Sequence, residues 1–252
     1  MANAEELSPM AASFDRAADS YERARPEYPS EAVDWLLPAG AKIALDLGAG
    51  TGKLTRALTA RELDVIAIDP SPKMLDQLRD AVPEAIVRLG TAEDIPLETA
   101  SVDAVLVGQA WHWVDQELAL PSVARVLKPG GTLGLVWNIR DERVPWVARL
   151  TEVMHPAQGE VFVESGTIEQ GPFGPIEKAT FEWSREFTRS QLLDLVRSRS
   201  YFITAPAAEQ ESILSGVDSL LSNDPDLAGR SSWTMPYVTH AFRMRLPVDP
   251  RG

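Results

Sequence analysis

The chain has 252 residues, 44% of them hydrophobic, and a formal net charge of −13. That length allows one large core without requiring two full-sized domains. The acidic balance, with no basic cluster, opposes nucleic acid as a partner, and the lack of cysteine removes disulfides, thiolate nucleophiles and cysteine-ligated zinc.

No stretch approaches the ~20 uninterrupted apolar residues of a membrane span, and Met1 to Ser20 lack the basic start and apolar run of a signal peptide. A cytoplasmic, non-exported protein with a small-molecule partner and no membrane association is expected. Oligomeric state is not legible.

In chain order, the first pattern is Phe14, Ala17, Ala18, Tyr21 and Arg25, which share one face of a helix and lead into Pro26-Glu27-Tyr28-Pro29. Short β-rich apolar runs then alternate with helical patterns, as βαβ units and a parallel sheet require. Strands are expected near Lys42 to Leu47, Val65 to Asp69, Ala85 to Leu89, Val102 to Gly108 and Thr132 to Trp137. Ser71 and Pro72 read as an N-cap and first helical residue, and a turn is expected at Leu127-Lys128-Pro129-Gly130-Gly131, where Pro and Gly stop the preceding helix.

Beyond Asn138 the pattern predicts a helix over Val144 to His155 and a Gly/Pro-rich link from Gly159 to Pro175. A strand over Lys178 to Phe187 follows, then helices near Ser190 to Ser198 and Ala207 to Leu221 and a last strand over Thr234 to Leu246. The expected fold is α/β: a Rossmann-like, doubly wound, mostly parallel sheet with an antiparallel edge and inserted helices near the C-terminus. A single domain over 1–252 is expected, with a lid at 1–40, a cofactor-binding core at 41–140 and a cap over the acceptor at 141–252.

The chemistry concentrates at the ends of the predicted strands, where an open parallel sheet binds its ligands. The first strand runs through Asp46 into Gly48-Ala49-Gly50-Thr51-Gly52 and then a helix. Alternating glycines let a ligand approach the backbone, and the helix start offers unpaired N–H groups, as a nucleotide-type cofactor needs. A dinucleotide fingerprint needs a third glycine where Lys53 stands, which disfavours a nicotinamide-dependent oxidoreductase. The second strand ends at Asp69, a carboxylate suited to vicinal ribose hydroxyls. The third leads into Gly90-Thr91-Ala92-Glu93-Asp94, and the fourth into Gln109-Ala110-Trp111-His112-Trp113.

Residues 42 to 138 resemble the core of class I S-adenosylmethionine-dependent methyltransferases. The resemblance runs through A-L-D-L-G-A-G-T-G, I-A-I-D-P-S-P-K-M-L, G-T-A-E-D-I-P-L, S-V-D-A-V-L-V-G-Q-A and V-L-K-P-G-G-T-L in order. It implies S-adenosyl-L-methionine as cofactor. Asp46 and Ala49 would contact the cofactor, Gly48 and Gly50 would sit at its methionine end, Asp69 at the ribose, Pro70 and Met74 around the adenine, Ala92 and Glu93 at the adenine's polar edge, and Gln109 along the methionine. The pattern F-D-x-x-A-x-x-Y-x-x-x-R-P-x-Y-P is similar to the lid of small-molecule methyltransferases related to trans-aconitate methyltransferases, where Tyr21 and Arg25 would face the methionine carboxylate. An amphipathic helix packed on the sheet explains the same stripe.

His112 is the candidate general base, flanked by tryptophans and with Asp115 near enough in sequence to orient it, although the same residues also suit a core cap. His155 and His240 show no partner in the sequence. Trp137 to Arg140, Trp146, Tyr201 and Tyr237 are candidates for an acceptor wall or for ordinary packing. Gln109-Ala110-Trp111-His112 departs from the D-P-P-Y type motif of enzymes that methylate amide or base nitrogens, and no metal-ligand spacing appears. A methyltransferase acting on an oxygen, nitrogen or carbon nucleophile of a small molecule is the expectation, with a non-catalytic cofactor-binding scaffold as the rival.

Overall fold

Why the first strand is central follows from its composition: Ile43–Leu47 (β1) is apolar on both faces apart from Asp46, and all but its first residue are buried. Strands of this kind need a helical layer on each side. In the computed structural model, which describes residues 25–248, β1 lies in a seven-stranded sheet of order β3-β2-β1-β4-β5-β7-β6. The other strands are β2 (Asp64–Asp69), β3 (Ile86–Leu89), β4 (Val102–Gly108), β5 (Leu127–Arg140), β6 (Glu177–Thr188) and β7 (Ser232–Arg245). β1 pairs in parallel with both β2 and β4, so the strand order reverses at β1.

The helices of the first half are α1 (Ser30–Leu36), α2 (Lys53–Thr59), α3 (Pro72–Ala81) and α4 (Gln116–Val126). Ser71 caps α3 by accepting from the N–H of Met74 at 3.1 Å, with Pro72 at the first helical position, as the sequence predicts. The expected turn at 127–131 proves to be an irregularity within β5. Val102 pairs with Leu127 and Ala104 already with Thr132, and Gly130 absorbs the extra residues at φ +79°. The N–H of Gly130 donates to the Leu246 carbonyl, and that of Leu246 to the Gly131 carbonyl, so the kinked segment stays bonded beside β7.

The second half holds α5 (Pro145–Met154), α6 (Gln158–Ser165), α7 (Arg189–Arg197), α8 (Ser200–Thr204) and α9 (Ala207–Asn223). β7 is antiparallel to both β5 and β6, so the antiparallel strand lies one place in from the edge, and α7 to α9 are inserted between β6 and β7. These helices have an apolar cluster of their own, including Trp146, Leu150, Leu192, Val196, Val217 and Trp233.

The link expected from Gly159 to Pro175 instead begins with a helix, α6. Glu160 starts it by accepting the N–H of Ala157 at 2.7 Å, and Gly159 allows close packing, since a Cβ there would sit 3.1 Å from both His112 and Trp137. Among the described residues no helix is long and apolar enough to cross a membrane. The helical stripe through Phe14, Ala17, Ala18 and Tyr21 lies outside the described residues.

Candidate functional site

A cleft opens where the strand order reverses, at the carboxyl ends of β1 and β4. It is lined by Asp46, Gly48, Ala49, Gly50, Thr51, Lys53 and Leu54 on one side, by Gly108 and Gln109 on another, and by Arg25, Pro26 and Tyr28 of the N-terminal segment. The backbone here is under tight demand. Gly48 has φ +73°, and a Cβ on it would lie 2.8 Å from that of Ala110, whereas a Cβ on Gly50 at φ +54° would meet nothing within 4 Å. One glycine permits the turn, and the other keeps the cleft open to a ligand.

Two carboxylates organise this turn in different ways. Asp69, buried at the end of β2, accepts from the N–H of Gly50 at 2.9 Å and from that of Ser71 at 2.8 Å, tying the glycine turn to the start of α3. Asp46 is 1% exposed; the hydroxyl of Thr55 donates to its Oδ2 at 2.6 Å, while Oδ1 is buried without a hydrogen-bond partner. Burial, reinforced by the charge of Asp69, pushes the Asp46 carboxyl up to about 7. A carboxylate in that state gains from any cationic donor that reaches Oδ1.

Gln109 is held in a left-handed conformation at φ +60°, which is uncommon for a residue with a side chain and costs on the order of 1 kcal/mol. Its N–H donates to the Val136 carbonyl at 2.9 Å, and its Nε2 to the Asn138 carbonyl at 3.3 Å. Lys53, which displaces the third glycine of a dinucleotide fingerprint, is buried with Nζ 3.6 Å from Glu27.

Arg25, Asp46, Gly48, Ala49, Gly50 and Gln109 thus come together. Met74 and Ala92 are buried, Pro70 is exposed, and Glu93 accepts the N–H of Asp115 at 3.1 Å, joining the loops after β3 and β4. Tyr21 lies outside the described residues. The sequence reading missed Pro26, Tyr28, Lys53 and Gly108 as lining residues, although the P-x-Y-P element and the glycine motif bracket them.

His112 sits in a short 3-10 turn, Trp111–Trp113, beyond β4. The indole N–H of Trp137 donates to its Nδ1 at 3.3 Å, and Phe162 of α6 lies 5.5 Å from the Trp137 ring. Burial, with the nearby positive charge of Arg25, lowers the imidazole to about 4. Asp115 does not orient His112; its Oδ1 caps α4, accepting from the N–H groups of Glu117 and Leu118 at 3.1 and 3.3 Å.

Residues 45–135 match the family described as methyltransferase domain. An uncharacterized methyltransferase of Mycobacterium tuberculosis (strain ATCC 25618 / H37Rv) is 53% identical over 237 residues, covering 94% of this chain and 97% of that protein. A solved structure from Anaeromyxobacter dehalogenans, assigned to the type II methyltransferases, superposes with a TM-score of 0.64 at 23% identity, covering 89% of this chain and 99% of that one. The Haemonchus contortus phosphoethanolamine N-methyltransferase 2, in complex with phosphomonomethylethanolamine and S-adenosylhomocysteine, shares the fold with a TM-score of 0.55 at 17% identity, covering 96% of this chain and 61% of that one. Taken with a glycine turn at the switch point of the sheet, these matches make the chain a member of the class I S-adenosylmethionine-dependent methyltransferases.

Proposed function

We propose that this methyltransferase acts on an oxygen, nitrogen or carbon nucleophile of a small organic molecule. When bound, S-adenosylmethionine supplies an electrophilic methyl group on a sulfonium centre. The observation that carries the assignment of its binding residues is the unpartnered Oδ1 of Asp46, buried beside the glycine turn. A buried anion with an unused acceptor suits the α-ammonium of the cofactor. The backbone of Gly48, Ala49 and Gly50 would line the same end, with Arg25 facing the carboxylate and Gln109 along the side. Asp69 would hold the ribose, and Pro70, Met74, Ala92 and Glu93 would surround the adenine.

His112 lies in the turn after β4, packed against Gly159 of α6. With Nδ1 accepting from Trp137, its proton belongs on Nε2, and an imidazole lowered to about 4 stays neutral at physiological pH. This supports a part for His112 as a neutral N–H donor that orients the acceptor, in place of the expected general base. The aromatic surroundings of Trp137 and Phe162 would exclude water, and most acceleration would come from alignment. Segment 141–252 would cap the acceptor, and its separate apolar cluster supports that division.

A thermal-shift comparison of S-adenosylhomocysteine, NAD and NADP tests the reading. At roughly 100 to 1,000 times the dissociation constant a true ligand contributes about 3 to 4 kcal/mol, a rise of several degrees. A response to S-adenosylhomocysteine alone is expected; a response only to a nicotinamide nucleotide overturns the assignment of the cleft.

A further inference from the structure

The two edges of the sheet differ in length. β3 closes one side with only Ile86–Leu89, whereas β6, the other edge, runs from Glu177 to Thr188 and pairs with β7 in one unbroken register. Among the described residues no strand lies against the outer side of β6. A strand of that length presents about 40 Å of backbone N–H and C=O groups, and such edges are ordinarily closed by proline, a bulge or a covering segment. β6 contains neither proline nor glycine, and its register with β7 shows no bulge. It carries charge instead. Lys178, Glu182 and Glu186 stand at every fourth residue on its solvent face, all exposed.

These charges make the strand complementary to itself. When a second β6 runs antiparallel beside the first, about a two-fold axis normal to the sheet at Glu182, side chains of the same face meet in pairs. Lys178 then stands opposite Glu186 at both ends, with Thr180 opposite Ser184 between them. On the other face the half-buried Phe181 stands opposite Trp183, an aromatic pair repeated on each side of the axis. Both charges of the end pairs are uncompensated within one chain. The Lys178 ammonium lies 5.4 Å from the Phe242 ring, and Glu186 accepts from a neutral donor, the Ser232 hydroxyl. The single like-charge contact is Glu182 with its own copy, and it is already neutralised, because Arg143 donates to Glu182 at 2.6 Å while staying bonded to Asp141. Moving the axis to Trp183 breaks both end pairs, and moving it to Ser184 sets Glu182 against Glu186. Moving it the other way, to Phe181 or Thr180, leaves the C-terminal end of the strand overhanging. It also offers Arg185 or Lys178 only carboxylates that Arg243 and Arg143 already bind.

We propose that β6 pairs with β6 of a second copy of this chain in this register, so that two seven-stranded sheets continue as one across a two-fold axis at Glu182. The occupant is a second copy because the edge calls for a strand carrying the same charges in reverse order, which a two-fold operation supplies. The net charge of −13 on each chain opposes association at low salt. At about 0.15 M salt that repulsion is screened beyond ~8 Å, while pairs at strand spacing keep their attraction.

Sedimentation equilibrium of the full chain at roughly 1 to 100 μM and ~0.15 M salt tests the dimer. The native chain is expected to approach the dimer mass as concentration rises. K178E and E186K each set like charges opposite one another at both ends and should each weaken the dimer about tenfold. K178E/E186K restores the pairs in reverse and should return Kd to within about threefold of native. The contacts of Lys178 with Phe242 and of Glu186 with Ser232 are altered in the double variant as well, so its recovery isolates the contact between copies. The chain has no cysteine, which permits a second measurement. E182C sets two thiols opposite one another at the ~4.5–5.5 Å Cα separation that a disulfide spans. S184C leaves them roughly 13 Å apart along the strand, so mild oxidation should cross-link E182C at least about tenfold faster. A monomer throughout, single variants with native Kd, a double variant as weak as the singles, or equal cross-linking of E182C and S184C each overturns the proposal.

Discussion

Trp137 and His112 are joined by a hydrogen bond of 3.3 Å from the indole N–H to Nδ1, which gives the imidazole one tautomer and one orientation. Because the ring is lowered to about 4, it does not titrate near its ordinary value of ~6.5. Turnover at saturating cofactor should therefore show no inflection between pH 5.5 and 7.5 that disappears in H112N. W137F keeps most of the packing and removes the donor. It should leave S-adenosylhomocysteine affinity unchanged, lower turnover severalfold, and shift the His112 ring nitrogens in NMR spectra. The same lowering makes the native state less stable as pH falls from ~6.5 to about 4, since only the unfolded chain takes the proton in that window.

Asp69 braces the glycine turn through Gly50 and the start of α3 through Ser71. Asp69→Asn keeps the shape but sets an amide N–H against one of these backbone N–H groups. The loss should be about 2–3 kcal/mol of cofactor affinity, or roughly 30- to 150-fold in Kd. Calorimetry with S-adenosylhomocysteine measures it, and near-native affinity would remove Asp69 from the site.

On the proposed assignment, Asp46 would couple cofactor affinity to pH. Its carboxyl titrates at about 7 in the folded chain, so a cationic group reaching Oδ1 must displace a proton below that value. Affinity for S-adenosylhomocysteine should fall by up to about tenfold per pH unit below pH 7, with proton release at pH 6 visible in buffers of different ionisation enthalpy. The stability effect has the opposite sense to that of an ion-paired carboxylate. Ionisation inside the fold is unfavourable, so stability is lost as pH rises from ~4 to about 7. Asp46→Asn should be more stable than the native chain at pH 8, by about 2–4 kcal/mol, while binding cofactor poorly.

The first half was legible because local signals coincide there: apolar runs, Ser71 with Pro72, and glycines at a fixed offset from Asp46 all bear on the same few residues. α6 was hidden by Gly159, which reads as a link in isolation but allows packing against His112 and Trp137 that only the folded chain brings near. The grouping of Arg140 with Glu160 and Arg199 was equally hidden: Arg140 reads in the sequence as a candidate for the acceptor wall or for packing, but nothing there brings the other two to it. Their burial depends on β7 returning between β5 and β6, a tertiary event that no local window contains. His112 shows the same division: its position after β4 was readable, but its tautomer and lowered pKa depend on a tryptophan from β5.

Asn138 joins the N-terminal segment to the middle of the sheet. Its Nδ2 donates to the Glu27 carbonyl at 3.1 Å, its Oδ1 accepts from the Thr239 hydroxyl at 2.7 Å, and its own carbonyl accepts from Gln109. Trp183 in turn donates to Thr239 at 2.8 Å, so the chain of bonds runs from β6 to the wall of the cofactor cleft. Asn138→Leu approximates the volume but leaves the Glu27 carbonyl and the Thr239 hydroxyl without their partner. The expected cost is about 1–3 kcal/mol in denaturant unfolding, chiefly from the buried Thr239 hydroxyl, since Glu27 is exposed and its carbonyl can turn to water. Because Arg25, Pro26 and Tyr28 line the cleft, cofactor affinity should fall about tenfold alongside stability, with protease sensitivity rising near Arg25. Asn138→Asp, which keeps an acceptor for Thr239 but loses the donor to Glu27, separates the two effects: the tether should fail while the Thr239 bond persists. Full retention of cofactor affinity in both variants would mean that the N-terminal wall is held by other contacts.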